Sequence, residues 1–318
     1  MPWYLIVIII FAALAISGGV FSYFYCLNIA KKVYFETLVR TSPDKWGRCC
    51  SDTTNEEQVL MWEAGLAWAD SVRDRMTEVE IENEGFHLFG EYYDFGADRA
   101  VIIIPGRCES LMYSYYFAPA YQKAGCNVLV IDIRSHGKSS GTYDYVGVGE
   151  NRDVIKWAEL LHDRFGNEKV ILHGICMGAG TGILALLDDT CPDYIAAQVA
   201  EGGYISFYES YKQHMIYEHR PVFPVLPMVM HQLKKHTGTD ERKIRPVNLI
   251  QNIRVPYLFL CSKKDPFSLP ERSRQLYALC GSEHKEIVWF EEGNHSHIRV
   301  ADEEAFDSAI AAFIHKYL

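Results

Sequence analysis

The sequence has no dense run of lysine and arginine. Acidic residues outnumber basic ones, 41 against 31, and the formal net charge is −10. Such a surface repels a phosphate backbone, which argues against nucleic-acid binding. The nine cysteines include no C-x-x-C pair and follow no zinc-type spacing. Their odd number and scatter argue against a disulfide framework and indicate free thiols in a reducing compartment. Cys49 and Cys50 are adjacent; a metal site or acylation beside a membrane are alternatives for them, and surface cysteines without a role are expected. There is no internal repeat and no low-complexity tract. What is present can build a large core: 49% of the 318 residues are hydrophobic and 23% charged, enough for one large domain or two small ones.

A second absence is local. Between Trp3 and Ala30 there is no charged side chain. A helix of that length spans a bilayer, which needs about 20 apolar residues. A cleaved signal peptide competes, since Ala13-Leu14-Ala15 has the small residues of a cleavage site. However, no basic segment precedes the run, and apolarity continues well past Ala15. No Lys or Arg precedes the stretch, whereas Lys31, Lys32, Arg40, Lys45 and Arg48 follow it closely. Basic residues stay inside, so the sequence predicts a single-pass anchor in the cell membrane with a cytoplasmic carboxy-terminal part.

The predicted organisation is an anchor at 3–30, a linker and amphipathic helix at 31–77, and one large domain at 78–318. Polar residues 41–54 read as linker, and Asn55-Glu56-Glu57 opens a helix to about Arg75. Val79, Ile81, Phe86, Leu88 and Tyr92 suggest a hairpin turning at 83–85. Strands and helices then alternate. Strands are expected at 100–105, 127–133, 169–173, 194–200, 256–261 and 286–290. Helices are expected at 111–124, 149–165, 177–187, 270–280 and 302–317. Antiparallel entry strands followed by β-α units predict a mostly parallel sheet with helices on both faces. Residues 204–247 break the rhythm.

Chemistry concentrates around Val170-Ile171-Leu172-His173-Gly174-Ile175-Cys176-Met177-Gly178-Ala179-Gly180. A strand ends, one residue turns sharply, and a helix begins. This is the G-x-S-x-G elbow with cysteine in its central slot. The helix start favours a thiolate through its dipole and free N–H groups. A dinucleotide loop is a poor alternative, because the glycine spacing is not G-x-G-x-x-G. A nucleophile needs a base, and the base needs an orienting partner. Asp265 lies just past the strand at 256–261. His295 lies just past the strand at 286–290. With Cys176 they would converge on one sheet edge.

From about residue 78 the chain resembles the α/β-hydrolase superfamily, and is most similar to the bacterial serine-aminopeptidase-like (S33) hydrolases. The resemblance rests on the elbow, on Asp265 and His295 in the order nucleophile, acid, histidine, and on Asp132-Ile133-Arg134-Ser135-His136-Gly137-Lys138-Ser139. The last matches a D-x-R-x-H-G-x-S turn in which His136 is structural. The resemblance implies an eight-stranded α/β-hydrolase fold with a short helical lid at 204–247. It also implies a catalytic triad of Cys176, Asp265 and His295. His297 is an alternative base, although Gly293-Asn294-His295 fits the family pattern better. Glu201 is an alternative acid, but the Lys263-Lys264-Asp265-Pro266 turn resembles the usual acid loop. An oxyanion hole would combine the backbone N–H groups of Met177 and Arg107. Here the sequence departs from the family: Pro105-Gly106-Arg107-Cys108 stands where His-Gly is usual. Cysteine in place of serine is the second departure, and dienelactone hydrolases are a precedent for it.

A Cys-His-Asp triad predicts a hydrolase of an ester, thioester or related acyl bond, working through a covalent acyl-enzyme; peptidase activity is a lesser alternative. An acyltransferase with the same triad and an inactive scaffold are the other two readings. No cofactor and no metal is expected. His214, His219, His231 and His236 lack partner carboxylates at ligand spacing and are expected at the surface. The lid's aromatic residues predict a pocket for an apolar acyl or aryl group, or else simply pack the lid onto the sheet.

Overall fold

The protein is described by a computed structural model covering residues 1–240 and 245–318. Two helices, α1 (Trp3–Leu38) and α2 (Glu56–Ser71), precede a hairpin of β1 (Met76–Asn83) and β2 (Phe86–Tyr93). Then come β3 (Arg99–Ile104), α3 (Leu111–Ser114), α4 (Ala118–Lys123), β4 (Asn127–Ile131), α5 (Glu150–Phe165), β5 (Lys169–Ile175), α6 (Met177–Leu186) and β6 (Ile195–Glu201). Helices α7 (Phe207–Tyr217), α8 (Val225–Thr237) and α9 (Pro246–Leu249) follow. The chain closes with β7 (Tyr257–Ser262), α10 (Pro270–Leu279), β8 (Lys285–Phe290), α11 (Ile298–Ala301) and α12 (Glu303–Tyr317).

The strands form one eight-stranded sheet in the order β1-β2-β4-β3-β5-β6-β7-β8. β2 runs antiparallel to both neighbours, and the remaining pairs are parallel. The central strands are apolar throughout because both faces are covered. Side chains alternate along a strand: Ile102 and Ile104 belong to the apolar cluster shared with α5, α6 and α8, while Val101 and Ile103 belong to the one shared with α2, α4 and α12. This is the α/β-hydrolase fold, with strands and helices in the predicted order.

Three local features differ from the sequence reading. The helix expected to end near Ala30 runs unbroken to Leu38. Lys31 and Lys32 are good helix formers, and Ala30, Val33, Tyr34 and Leu38 continue a buried stripe that docks in the core beside α8. The helix expected over 111–124 is two pieces, α3 and α4. Pro119 cannot continue a helix but suits a first turn, where α4 carries it. The stretch between α1 and α2 is also bound to the domain. Trp46 stacks on His136 at 4.5 Å, and Arg48 bridges Glu91 and Asp132 at 3.2 Å each. The first part of α1 is fully exposed, and α1 is long and apolar enough to cross a membrane. The region expected as a lid contains α7 and α8; its residues 241–244 lie outside the described residues.

Candidate active site

Cys176 stands alone between the end of β5 and the start of α6, with φ 52° and ψ −111°. A side chain rarely tolerates this region, and such strain persists only where surroundings enforce it. The neighbouring glycines do so. A Cβ on Gly178 would come within 2.2 Å of the Ile104 carbonyl oxygen, and one on Gly174 within 2.4 Å of the Ala179 amide nitrogen. Both obstacles are backbone, so neither position accepts a side chain. The Cys176 amide donates to the Glu201 carbonyl at 2.8 Å, tying the elbow to the end of β6.

Asp265 and His295 meet as the sequence predicts. His295 Nδ1 lies 2.7 Å from Asp265 Oδ2. The other carboxylate oxygen accepts the amides of Phe267 and Ser268 at 2.8 and 2.7 Å. Burial alone would push the Asp265 carboxyl up; the His295 charge and these hydrogen bonds outweigh it and hold it below the usual range. His295 Nε2 is buried and makes no well-formed hydrogen bond among the described residues. Burial opposes charging this imidazole. Charge interaction with Cys176 and Asp265, and the hydrogen bond to Asp265, override burial and hold the imidazole well above its ordinary value. A loose nucleophile–base contact is common in the absence of substrate.

The two alternatives have other partners. Glu201 is buried, accepts the Ile298 amide at 3.3 Å, and is pushed up to about 8 by burial. A largely protonated acid orients an imidazolium poorly. His297 binds Glu57 through Nδ1 at 2.8 Å and Gln58 through Nε2 at 2.7 Å, so both ring nitrogens are occupied. His136 is buried, donates from Nδ1 to the Arg134 carbonyl at 2.8 Å as its one hydrogen bond among the described residues, and burial lowers it to about 3. That agrees with a structural role.

Met177 opens α6, where a first-turn N–H has no partner in its own helix. The Arg107 amide makes no hydrogen bond among the described residues. Both donors are thus available beside Cys176. Two further residues join them: Glu109, which the sequence reading passed over, and His214, which it placed at the surface. Glu109 accepts the Gly106 amide at 3.2 Å, and burial raises it to about 7. His214, expected at the surface, instead stacks on Phe267 at 3.9 Å and faces His295 edge-on at 6.3 Å. Burial, with the Arg107 charge, keeps it neutral. His236 is also packed, on Tyr34 at 5.3 Å, whereas His219 and His231 are exposed as expected. The only sequence signal for Glu109 was its place in the loop after β3. For His214 there was none, because its neighbour Phe267 lies 53 residues away.

Above Cys176 the pocket is lined by Tyr204, Phe207 and Tyr211, with Arg107 and His214. The other lid aromatics divide: Phe223 and Tyr217 are exposed, and Tyr208 packs against the core. Among the described residues no group of His, Cys, Asp and Glu is arranged to hold a metal ion.

Comparison with known proteins agrees with this architecture. Residues 99–239 match the family model described as the alpha/beta hydrolase fold, a segment that includes Cys176 but neither Asp265 nor His295. The chain is 30% identical over 181 residues to the Bacillus subtilis protein YqkD, covering 56% of this chain and 59% of that one. It is 23% identical over 194 residues to the protein bem46 of Schizosaccharomyces pombe, covering 61% and 59%. The chain therefore spans about three-fifths of the length of these relatives. Among solved structures, an esterase from Pyrococcus furiosus superposes with a TM-score of 0.66 at 24% identity, over 78% of this chain and 94% of that one. An esterase from Exiguobacterium antarcticum gives 0.56 at 16% identity, over 75% and 100%. At these identities the structural likeness shows the fold.

Proposed function

We propose that the chain is an acyl hydrolase that cleaves an ester or thioester through a Cys176-His295-Asp265 triad. The observation that carries this reading is the 2.7 Å His295–Asp265 pair beside a cysteine held at φ 52° on a strand-to-helix elbow. The same fold in two esterases supports it.

The steps follow from the groups in place. Cys176 Sγ, as thiolate, attacks the acyl carbonyl carbon. The oxygen gains negative charge opposite the N–H groups of Met177 and Arg107, where preorganised donors contribute about 10²–10³ in rate per donor. The imidazolium of His295 gives its Nε2 proton to the leaving oxygen or sulfur, and the C–O or C–S bond breaks. A thioester on Cys176 remains and His295 is neutral. Water then loses a proton to His295 as its oxygen attacks the thioester carbonyl. The C–Sγ bond breaks, a carboxylic acid leaves, and the thiolate–imidazolium pair is restored. Asp265 stays ionised and fixes the ring tautomer throughout.

The test is a panel of short aryl esters and acyl thioesters with wild type, Cys176→Ser and Cys176→Ala. The proposal expects turnover in wild type and none in Cys176→Ala. Unchanged turnover in Cys176→Ala would refute it. Added alcohol or amine acceptors distinguish a transferase, for which the acylated acceptor would be the main product.

A further inference from the structure

Among the described residues Arg107 is the one cationic side chain lining the pocket over Cys176, and no acid bonds to it. Its guanidinium bonds through Nη1 to the Thr37 carbonyl and the Cys108 thiol, both at 3.2 Å, and it sits 5.9 Å from the centre of the Tyr211 ring. Neither bonded partner is a carboxylate. Among the described residues no carboxylate comes within ion-pair distance. Glu109, on the same loop, turns its carboxyl to the Gly106 amide. Asp144 is close enough to be felt electrostatically, but its buried Oδ1 accepts the Val146 amide at 2.8 Å and its Oδ2 has no partner. Arg107 lines the same small cavity as Cys176, Phe207 and Tyr211. A partly buried cation with no carboxylate in direct contact is costly, and such a site recovers that cost when an anion enters. The guanidinium also keeps free donors in a planar fork suited to carboxylate or phosphate oxygens.

We propose that Arg107 is a specificity-determining residue that binds an anionic group of the substrate, so that the preferred acyl donors carry a carboxylate or phosphate near the scissile carbonyl. This rests on Cys176 being the reacting group, but not on net hydrolysis. The apolar walls accept the carbon skeleton, and Arg107 selects for the charge. The rival reading gives Arg107 only the Cys176 thiolate as partner. The two readings differ in what a charged reagent does.

The experiment compares alkylation of Cys176 in the full-length protein by iodoacetate and by iodoacetamide, read by mass spectrometry and normalised to the exposed Cys49. Displacement of iodide makes no use of an oxyanion hole, so effects of substitution on the backbone cancel in the ratio. The iodoacetate-to-iodoacetamide rate ratio is expected to fall about tenfold in Arg107→Gln and to be largely kept in Arg107→Lys. An unchanged ratio, with both rates falling together, overturns the proposal and assigns Arg107 to the thiolate. Wild type alone gives a second reading. Succinate should protect Cys176 from iodoacetamide at concentrations where succinamide does not; equal protection or none also overturns it. Turnover then locates the anion. Preference for p-nitrophenyl hemisuccinate over its methyl ester places it on the acyl side. Preference for 4-carboxyphenyl acetate over 4-carbamoylphenyl acetate places it on the leaving group. Preference for both neutral esters counts against the proposal. An Arg107-dependent alkylation ratio without any turnover keeps the anion site and removes the hydrolase reading.

Discussion

At the scale of single residues, the account depends on which proton His295 holds. With Cys176 and Asp265 beside it, the imidazole stays charged well above its ordinary range. His295 keeps its proton below that raised value and loses it as pH rises through it. The proposed mechanism gives that proton to the leaving group, so kcat/KM of the wild type should fall on the alkaline side. The pairing also contributes folding stability that is full below about pH 6.5, the unfolded histidine value, and lost as pH rises through the folded one. In Cys176→Ser the sulfur is gone and His295 must be neutral to act as base. Any residual activity should then rise with pH as His295 loses its proton, the opposite slope. A wild type whose activity rises with pH as the serine variant's does would contradict the charged His295. The elbow glycines make a separate prediction. Gly178→Ala places a methyl 2.2 Å from a backbone oxygen that cannot move aside. It should destabilise by more than about 3 kcal/mol, read in denaturant unfolding, or prevent soluble expression. Gly180→Ala meets the Tyr204 side chain instead, and should be milder. The elbow, Asp265 and His295 were legible because each follows a strand that local patterning reveals. Glu109 and His214 were not, because burial and a distant partner give them their environment.

At the scale of elements, α2 is more than a preface to the sheet. Its first turn holds the loop that carries His295: Glu57 accepts from Asn294 at 3.0 Å and pairs with His297 at 2.8 Å, and Gln58 meets the other nitrogen of His297. Glu57→Ala should cost about 1–2 kcal/mol of stability through the lost hydrogen bonds. It should also slow Cys176 alkylation by iodoacetamide, because the proposed base is less well held beside the thiol. Unchanged alkylation with a lowered melting temperature would make the contact structural only. The sequence showed α2 as a helix from its Asn55 cap and acidic first turn. It could not show what α2 touches, since its partners lie about 240 residues on. The same limit hid the continuation of α1. Charge marks where an apolar segment stops being apolar, not where a helix stops. Only the core beside α8 makes sense of the stripe from Ala30 to Leu38.

At the scale of the whole molecule, α1 has two parts with different work. Residues up to about Tyr25 are exposed and apolar, while Ala30, Val33, Tyr34 and Leu38 belong to the core, and the Thr37 carbonyl reaches Arg107 in the pocket. We propose that residues 1–24 anchor the protein in a membrane, so deleting them should move it into the soluble fraction with its melting temperature preserved. Deleting residues 1–38 should unfold or aggregate it, because burial of each large apolar side chain contributes about 1.5–3 kcal/mol. A stable, active product of the longer deletion would show that the inner half of α1 is dispensable. The fold itself was readable from alternating strands and helices, since each apolar run reports its own burial. The packing of the amino-terminal third against the site was not, because it is set by surfaces that come together only in three dimensions. All of this converges on a thioester at one sulfur. The most direct measurement is the intact mass of the protein quenched in acid during turnover of a slow aryl ester. The account predicts an added acyl group that is released by hydroxylamine, maps to Cys176 and is absent in Cys176→Ala. Turnover with no adduct at Cys176, or with the adduct on another residue, would contradict it.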